Sequence, residues 1–176
     1  LGACRRQGEG SVSKHDIVVY GATGFTGVRT ARYLAKEHGL RLAIAGRDPA
    51  KLEAVARSLG RDVGVIVATS NDPASIDRMA QDARVVVSTV GPYRAYGSPV
   101  VDACVKHGAH YADITGEPVW VRDMIDKHHA NAEARRVKIV PFCGYDSIPS
   151  DLGAYLCVKA LRRDHGETCR RVEAFH

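Results

Sequence analysis

Three regularly spaced glycines occur early in the chain, in Gly21-Ala22-Thr23-Gly24-Phe25-Thr26-Gly27. An apolar run at residues 17–20 precedes them and an amphipathic stretch follows, so the loop is expected to join a strand to a helix. In such a loop the glycines permit a tight turn, a close approach by a pyrophosphate and close packing of the helix on the strand. The first amides of the helix would bind the phosphates. The pattern predicts a dinucleotide site at Gly21, Thr23, Gly24, Phe25, Thr26 and Gly27, with a simple strand-to-helix turn as the alternative.

The second predicted strand ends at Ala45-Gly46-Arg47. In NAD-selective proteins an acidic residue about twenty positions after the glycine loop accepts a hydrogen bond from the ribose 2′-hydroxyl, and it would repel a 2′-phosphate. The guanidinium of Arg47 is suited to a phosphate instead. We therefore expect NADP(H) to be preferred over NAD(H), and the alternative is that Arg47 is an ordinary surface arginine.

Small residues follow the fourth predicted strand, in Ser88-Thr89-Val90-Gly91-Pro92-Tyr93. Cofactors and substrates bind at the carboxyl edge of open α/β sheets, which is where this segment would lie. Thr89, Val90 and Gly91 are predicted to let the adenosine ribose and the nicotinamide side pass close to the backbone. The Tyr93 hydroxyl could act as a proton donor or bind the substrate, and a half-buried loop tyrosine is the other interpretation.

Three acids follow the fifth and sixth predicted strands, namely Asp113, Glu117 and Asp146. Such carboxylates could orient a substrate or cap the helices that begin near Pro118 and Pro149. For Glu117, capping or bracing of a loop is the favoured interpretation. Tyr93 and Asp146 are the candidate catalytic residues.

The scaffold for these residues is predicted from apolar runs that alternate with amphipathic stretches. Asp48-Pro49 and Asp72-Pro73 are typical helix beginnings, and Gly108 is a typical helix end. Strands separated by helices predict right-handed crossovers and therefore an α/β, Rossmann-type doubly wound parallel sheet of about six strands. The six strands are expected at residues 17–20, 40–45, 63–67, 84–88, 110–114 and 137–141.

The composition restricts the class of protein. The chain has 176 residues, of which 45% are hydrophobic and 26% are charged, and a formal net charge of +5, which fits one globular domain. Arginines near both ends are not interleaved with aromatic residues, so no nucleic-acid partner is expected. The five cysteines are widely spaced and include no Cys-x-x-Cys pair. The histidine pairs have no third residue at a spacing that would complete a metal site. We therefore expect no disulfide framework, no metal site and a cytoplasmic location.

Five motifs occur in order and together resemble those of a known family. The chain is similar to the saccharopine dehydrogenase-like oxidoreductases, in particular to the subfamily of trans-acting enoyl reductases. The last two motifs are the most specific of the five. The motifs are Gly21 to Gly27, Ala45-Gly46-Arg47, Thr89-Val90-Gly91-Pro92-Tyr93, Asp113-Ile114-Thr115-Gly116-Glu117 and Cys143-Gly144-Tyr145-Asp146-Ser147-Ile148-Pro149-Ser150-Asp151.

The resemblance implies an NADP(H)-linked oxidoreductase that reduces a carbon–carbon double bond of a lipid or polyketide intermediate. It also implies a second, mixed α/β domain that is missing from this chain. We accordingly expect a dinucleotide-binding domain over residues 15–165, a disordered leader or incomplete N-terminus over 1–14, and the start of a connection to the second domain over 166–176. This portion alone is expected to be inactive.

The same resemblance suggests the partners of the whole protein. The substrate would be a small molecule or a carrier-bound lipid or polyketide, with a polyketide synthase as a candidate partner. A homodimer is expected for the full-length protein, and peripheral association with a membrane surface is left open.

Three alternatives remain at the level of the sequence. In saccharopine reductases a Pro-Gly pair follows the first aspartate of the last motif, whereas Ser147-Ile148-Pro149 follows Asp146 here, so the substrate class stays open. Tyr155 and Lys159 match the Tyr-x-x-x-Lys pair of short-chain dehydrogenases, although the expected upstream serine falls near Phe142. The third alternative is a regulatory protein that binds NADP(H) without catalysis.

Overall fold

The computed structural model describes residues 13–173, so the expectations for residues 1–12 and 174–176 lie outside the described residues. Six strands and seven helices are found in this range. The strands are β1 (His15–Tyr20), β2 (Leu42–Gly46), β3 (Gly64–Val67), β4 (Ala83–Ser88), β5 (His110–Asp113) and β6 (Ile139–Val140). The helices are α1 (Phe25–Leu34), α2 (Pro49–Ser58), α3 (Pro73–Asp82), α4 (Tyr93–Tyr96), α5 (Ser98–His107), α6 (Pro118–Ala134) and α7 (Ile148–His165).

The strands form one sheet in the order β3-β2-β1-β4-β5-β6, and every neighbouring pair is parallel. Val19 of β1 lies opposite Ile44 of β2 on one side and opposite Val87 of β4 on the other. The strand order reverses between β1 and β4, which creates a crevice at the carboxyl edge of the sheet. The predicted doubly wound α/β fold is therefore confirmed.

Helices cover the sheet on both faces, and alternate residues of β1 point to opposite faces. Val19 packs in a cluster with Ala31 and Leu52 from α1 and α2. Val18 belongs to a larger cluster formed with α3, α5 and α6. Both valines have no exposed surface, so a buried core lies on each face of the sheet beneath the crevice.

The loop after β1 brings two backbone segments into direct contact at Gly27. A Cβ atom on Gly27 would lie 2.8 Å from the carbonyl carbon of Gly21 and 2.9 Å from Cα of Ala22. Gly21 itself has φ +86°, a backbone conformation that residues other than glycine rarely adopt. A Cβ on Gly21 would also lie 2.7 Å from a methyl group of Val90, so the loops after β1 and β4 are in contact.

The predicted helix boundaries agree with the structure where capping chemistry is local. The side chains of Asp48 and Asp72 accept hydrogen bonds from the first-turn amides of α2 and α3. Gly108 ends α5 in the left-handed conformation. Ser147 is the N-cap residue of α7, but its side chain makes no capping hydrogen bond.

The last helix packs differently from the others. None of the side chains of α7 is buried, and Leu152, Tyr155 and Leu156 are exposed. Residues 166–173 form neither helix nor strand.

No helix within residues 13–173 is both long and apolar enough to cross a membrane.

Replacing Gly27 with alanine tests the contact between α1 and β1. Because the new methyl group would collide with backbone atoms, we expect the free energy of unfolding to fall by about 2 kcal/mol. The control is Gly153→Ala in α7. A Cβ at this position would meet nothing within 4 Å, so the substitution should not destabilise the helix. Chemical denaturation of both variants measures the difference, and equal stabilities would contradict the packing described here.

Candidate functional site

A cleft of about 410 Å³ lies at the carboxyl edge of the sheet, above the point where the strand order reverses. Seven of the residues predicted to bind a cofactor line it, namely Gly21, Thr23, Gly24, Arg47, Thr89, Val90 and Gly91. They come from the loops after β1, β2 and β4, which meet because these strands are neighbours and parallel. Residues of the first three sequence motifs are therefore assembled in one place.

The first turn of α1 points unsatisfied amides toward this edge of the sheet. Gly24 is the N-cap residue and has no side chain to accept hydrogen bonds from the N–H groups of Phe25, Thr26 and Gly27. The side chain of Phe25 is 76% exposed and packs under the guanidinium of Arg29, outside the cleft. None of these three residues lines the cleft, and their backbone amides form the positive end of the helix beside it.

Arg47 lies directly after β2 at the rim of the cleft. It is exposed and makes no hydrogen bond or ion pair with any residue in the described range. The neighbouring Asp48 does not neutralise it, because one Asp48 oxygen accepts a hydrogen bond from the Lys51 amide and the other lies 3.7 Å from the Lys51 ammonium. The guanidinium of Arg47 is consequently available to an anion.

The loop after β4 is fixed against the end of β1. The hydroxyl of Thr89 donates a hydrogen bond to the carbonyl oxygen of Tyr20 at 3.0 Å, and its amide donates to the same oxygen at 2.9 Å. Val90 and Gly91 follow along the wall of the cleft. Thr89 therefore anchors the loop after β4 to the end of β1, a role that the sequence analysis did not predict.

Five residues that line the cleft were missed by the sequence analysis, namely Tyr20, Thr69, Ser70, Asn71 and Tyr96. Ser70 joins three elements, since its hydroxyl lies 3.1 Å from the Tyr20 hydroxyl and donates to the Tyr96 carbonyl at 2.9 Å. The available signal was the position of residues 69–71 after β3, because every parallel strand ends at the same edge. The short helix α4, which carries Tyr96, gave no sequence signal.

Tyr93 is packed in the core below the cleft and is only 5% exposed. Its hydroxyl donates to the Ser88 carbonyl at 2.9 Å, and its ring lies 5.5 Å from the ring of Trp120. Burial raises the pKa of Tyr93 to about 12. Tyr93 is not among the residues that line the cleft, and it is buried at the start of α4 rather than half-buried in a loop.

Asp146 also lies outside the lining of the cleft. It is exposed, and one carboxylate oxygen is 3.8 Å from the position that a Cβ on Gly116 would take. The carboxylate is therefore near the loop after β5 and has no hydrogen-bond partner in the described part of the chain. The structure brings seven of the ten cofactor candidates together in the cleft but does not place either catalytic candidate there.

Asp113 is a buried carboxyl group at the end of β5 and is 1% exposed. It accepts hydrogen bonds from the Tyr111 hydroxyl at 2.9 Å, the Thr115 amide at 3.0 Å and the Phe142 amide at 3.1 Å. Burial raises the pKa of Asp113 above its usual range, although these hydrogen bonds oppose that effect. Asp113 therefore holds the loops after β5 and β6 together.

Glu117 is the second carboxylate of the same segment, at the start of α6. It does not cap its own helix, and it accepts hydrogen bonds from the Tyr93 amide at 2.7 Å and the Arg94 amide at 2.9 Å. The interpretation of Glu117 as a residue that braces a loop is confirmed.

Other chemically suggestive residues lie elsewhere. Tyr155 is exposed on α7, with the Lys159 ammonium 5.7 Å from its ring centre, and neither residue lines the cleft. His128 is buried and lies 2.6 Å from an Asp102 oxygen. A second cavity of about 290 Å³, mainly apolar, lies between α6 and the strands β5 and β6.

These features define a dinucleotide-binding α/β domain: a parallel doubly wound sheet, a glycine loop that begins a helix, and an unpaired arginine after β2. The chain belongs to the family described as the saccharopine dehydrogenase NADP binding domain, which it matches over residues 17–140. The cofactor of the domain is NADP(H). The free amides of α1 and the unpaired Arg47 fit a phosphate-bearing group of this kind.

Several known proteins are similar to this chain. It is 44% identical to a lipid droplet localized protein of Caenorhabditis elegans over 174 residues, which is 93% of this chain and 40% of that protein. It is 46% identical to a putative trans-acting enoyl reductase of Mycobacterium tuberculosis over 153 residues, which is 85% of this chain and 36% of that protein. The chain thus spans two fifths or less of the length of these relatives.

A solved structure shares the fold. Saccharopine dehydrogenase (L-Glu forming) from Saccharomyces cerevisiae superposes with a TM-score of 0.71, covering 85% of this chain and 32% of that one. The sequence identity is 17%, so this likeness concerns the fold alone.

Replacing Asp113 with asparagine tests the state of the buried carboxyl group. Because the pKa of Asp113 is higher in the folded protein than in the unfolded chain, the folded state holds a proton that the unfolded state has lost. The wild-type protein should therefore lose stability relative to Asp113→Asn as the pH rises from about 4 through the folded pKa. Denaturation of both proteins between pH 4.5 and 7.5 measures this difference, and a trend of opposite sign would contradict the raised pKa.

Proposed function

We propose that this chain is the cofactor-binding part of an NADPH-dependent oxidoreductase of the enoyl reductase type. The reaction would transfer a hydride to a carbon–carbon double bond of a lipid or polyketide intermediate. The observation that carries the proposal is the cleft at the carboxyl edge, which is lined both by the glycine loop that leads into α1 and by the unpaired Arg47. The names of the enoyl reductase relatives support the choice of reaction.

The positions of the loops suggest how the cofactor would be held. Arg47 would bind the 2′-phosphate, and the amides at the start of α1 would bind the pyrophosphate. Because β4 lies on the opposite side of β1 from β2, an extended dinucleotide would place its nicotinamide half near Thr89, Val90 and Gly91. When bound, the reduced nicotinamide supplies the hydride.

The proton that completes the reduction would come from a group outside the cofactor cleft. Asp146 is exposed at the same edge of the sheet, and we propose that it orients the substrate or relays a proton. For Tyr93 we propose a supporting role through its hydrogen bond to Ser88, because its buried hydroxyl has a pKa of about 12.

The partners proposed for the whole protein follow from its relatives. A carrier-bound lipid or polyketide substrate fits the name of the mycobacterial relatives, and a polyketide synthase is the corresponding candidate partner. A cytoplasmic homodimer is proposed for the whole protein. The name of the Caenorhabditis elegans relative supports a location at lipid surfaces.

A second candidate function is binding of NADP(H) without catalysis. One observation favours it, namely that neither Tyr93 nor Asp146 lines the cleft that the cofactor would occupy. A saccharopine reductase-like or short-chain-dehydrogenase-like reaction on a carbonyl or imine remains the third candidate.

An activity assay separates these candidates. The protein, expressed at full length, is incubated with NADPH and a panel of enoyl thioesters, with ketones and imines as competing substrate classes. We expect loss of the NADPH absorbance only with the enoyl thioesters. Tight NADPH binding without turnover of any substrate would support the non-catalytic candidate, and turnover of carbonyls or imines alone would support the third.

Replacing Arg47 with alanine tests the assignment of the 2′-phosphate site. Loss of one charge-assisted contact should weaken NADPH binding by roughly tenfold or more and leave NADH binding nearly unchanged. The Kd values are measured by titration of nicotinamide fluorescence. The matched control is Arg57→Ala, an exposed arginine in the last turn of α2. An unchanged preference for NADPH over NADH in Arg47→Ala would show that the assignment is wrong.

A further inference from the structure

The short helix α4 forms part of the wall of the cofactor cleft. Gly91 lies just before this helix and Tyr96 is its last residue, and both line the cleft. The Tyr96 carbonyl accepts a hydrogen bond from Ser70, which fixes the far end of α4 to the loop after β3. Four residues form too short a helix to be stable by themselves, so the near end of α4 needs a partner of its own.

Glu117 is that partner. Its two carboxylate oxygens accept one hydrogen bond each from the amides of Tyr93 and Arg94, which lie between Gly91 and Tyr96 in the chain. These amides belong to the first turn of α4, where N–H groups lack acceptors within the helix. A carboxylate is the strongest protein acceptor for such amides, because the bonds are charge-assisted.

Glu117 is itself held in place from two sides. Its amide donates to the Thr115 hydroxyl at 3.1 Å, and the Thr115 amide donates to the buried Asp113 carboxylate. One helical turn later, Trp120 contacts Tyr93 and closes tightly over Gly97, where a Cβ would lie 2.6 Å from the indole ring. The first turn of α6 therefore holds α4 in place through hydrogen bonds and aromatic packing.

We propose that Glu117 is a positioning residue for the nicotinamide half of NADP(H). Thr89 is fixed to the end of β1 by its own hydrogen bonds, and Glu117, by fixing the first turn of α4, sets the position of the Val90 and Gly91 segment that joins them. It does not touch the loops after β2 and β3, which would hold the adenosine and the 2′-phosphate. This inference rests on the proposed placement of the cofactor in the cleft.

The variant Glu117→Gln tests the inference with little change in volume. A glutamine offers one oxygen to the two amides and directs an N–H₂ group at the other amide, so one hydrogen bond is lost and a repulsive contact replaces it. We expect the Kd for NADPH to rise roughly tenfold, the order of effect of one charge-assisted hydrogen bond. The Kd for adenosine 2′,5′-bisphosphate, which lacks the nicotinamide half, should change less than about twofold.

The difference between the effects on the two Kd values distinguishes a positioning role of Glu117 from a general structural role. The protein is used at full length, and both Kd values are measured by calorimetry. The control Glu133→Gln changes an exposed glutamate near the other end of α6 and should leave both values unchanged. If Glu117→Gln does not fold, Glu117→Asp retains the charge on a shorter side chain and should show the same split.

Two results would overturn the inference. One is an unchanged affinity for NADPH in Glu117→Gln, and the other is an equal weakening of both ligands, which a merely structural role would produce. Failure of the wild-type protein to bind NADPH would instead contradict the proposed function, so the two failures can be distinguished.

Discussion

At Gly27 the first turn of α1 lies so close to the end of β1 that a single methyl group would reach the backbone of Gly21 and Ala22. This contact sets the position of α1 against β1 and so keeps its first-turn amides at the carboxyl edge of the sheet. Gly21 then brings Val90 of the β4 loop to the same point. The position of the glycine loop, the cleft and the opposite wall all depend on this approach of two backbones.

A second constraint acts on the other side of the cleft, where the stabilising groups are two acidic side chains. Asp113 and Glu117 lie at the end of β5 and the beginning of α6, and between them they accept four backbone hydrogen bonds and one from a tyrosine. Asp113 also holds Phe142 in a left-handed conformation, with φ +60°, which a bulky residue adopts only when its surroundings require it. Loops after three different strands are thus fixed by two side chains.

Features that depend on neighbouring residues could be predicted from the sequence. Features that depend on contacts between distant segments could not. Asp48, Asp72 and Gly108 were identified because a cap or a left-handed turn involves only neighbouring residues. The glycine loop and Arg47 were identified because their spacing relative to the first two predicted strands follows a known motif. The short helix α4 and the contact of Ser70 with Tyr96 were missed, because both depend on tertiary hydrogen bonds between segments far apart in the chain. Likewise β6 was predicted as five residues but pairs over two, because only Ile139 and Val140 meet β5.

The polar groups at the carboxyl edge fall into two classes according to how their hydrogen-bonding capacity is used. Asp113, Glu117 and Thr89 are engaged by backbone groups of the chain, and these bonds fix loops to one another. Arg47, the α1 amides and Asp146 have no such engagement within the described residues. Desolvating a charged group without a partner is costly, whereas an exposed unpaired group can exchange water for a ligand at little cost. The unengaged class is therefore the one expected to meet phosphates and substrate, and the engaged class holds the loops that carry it.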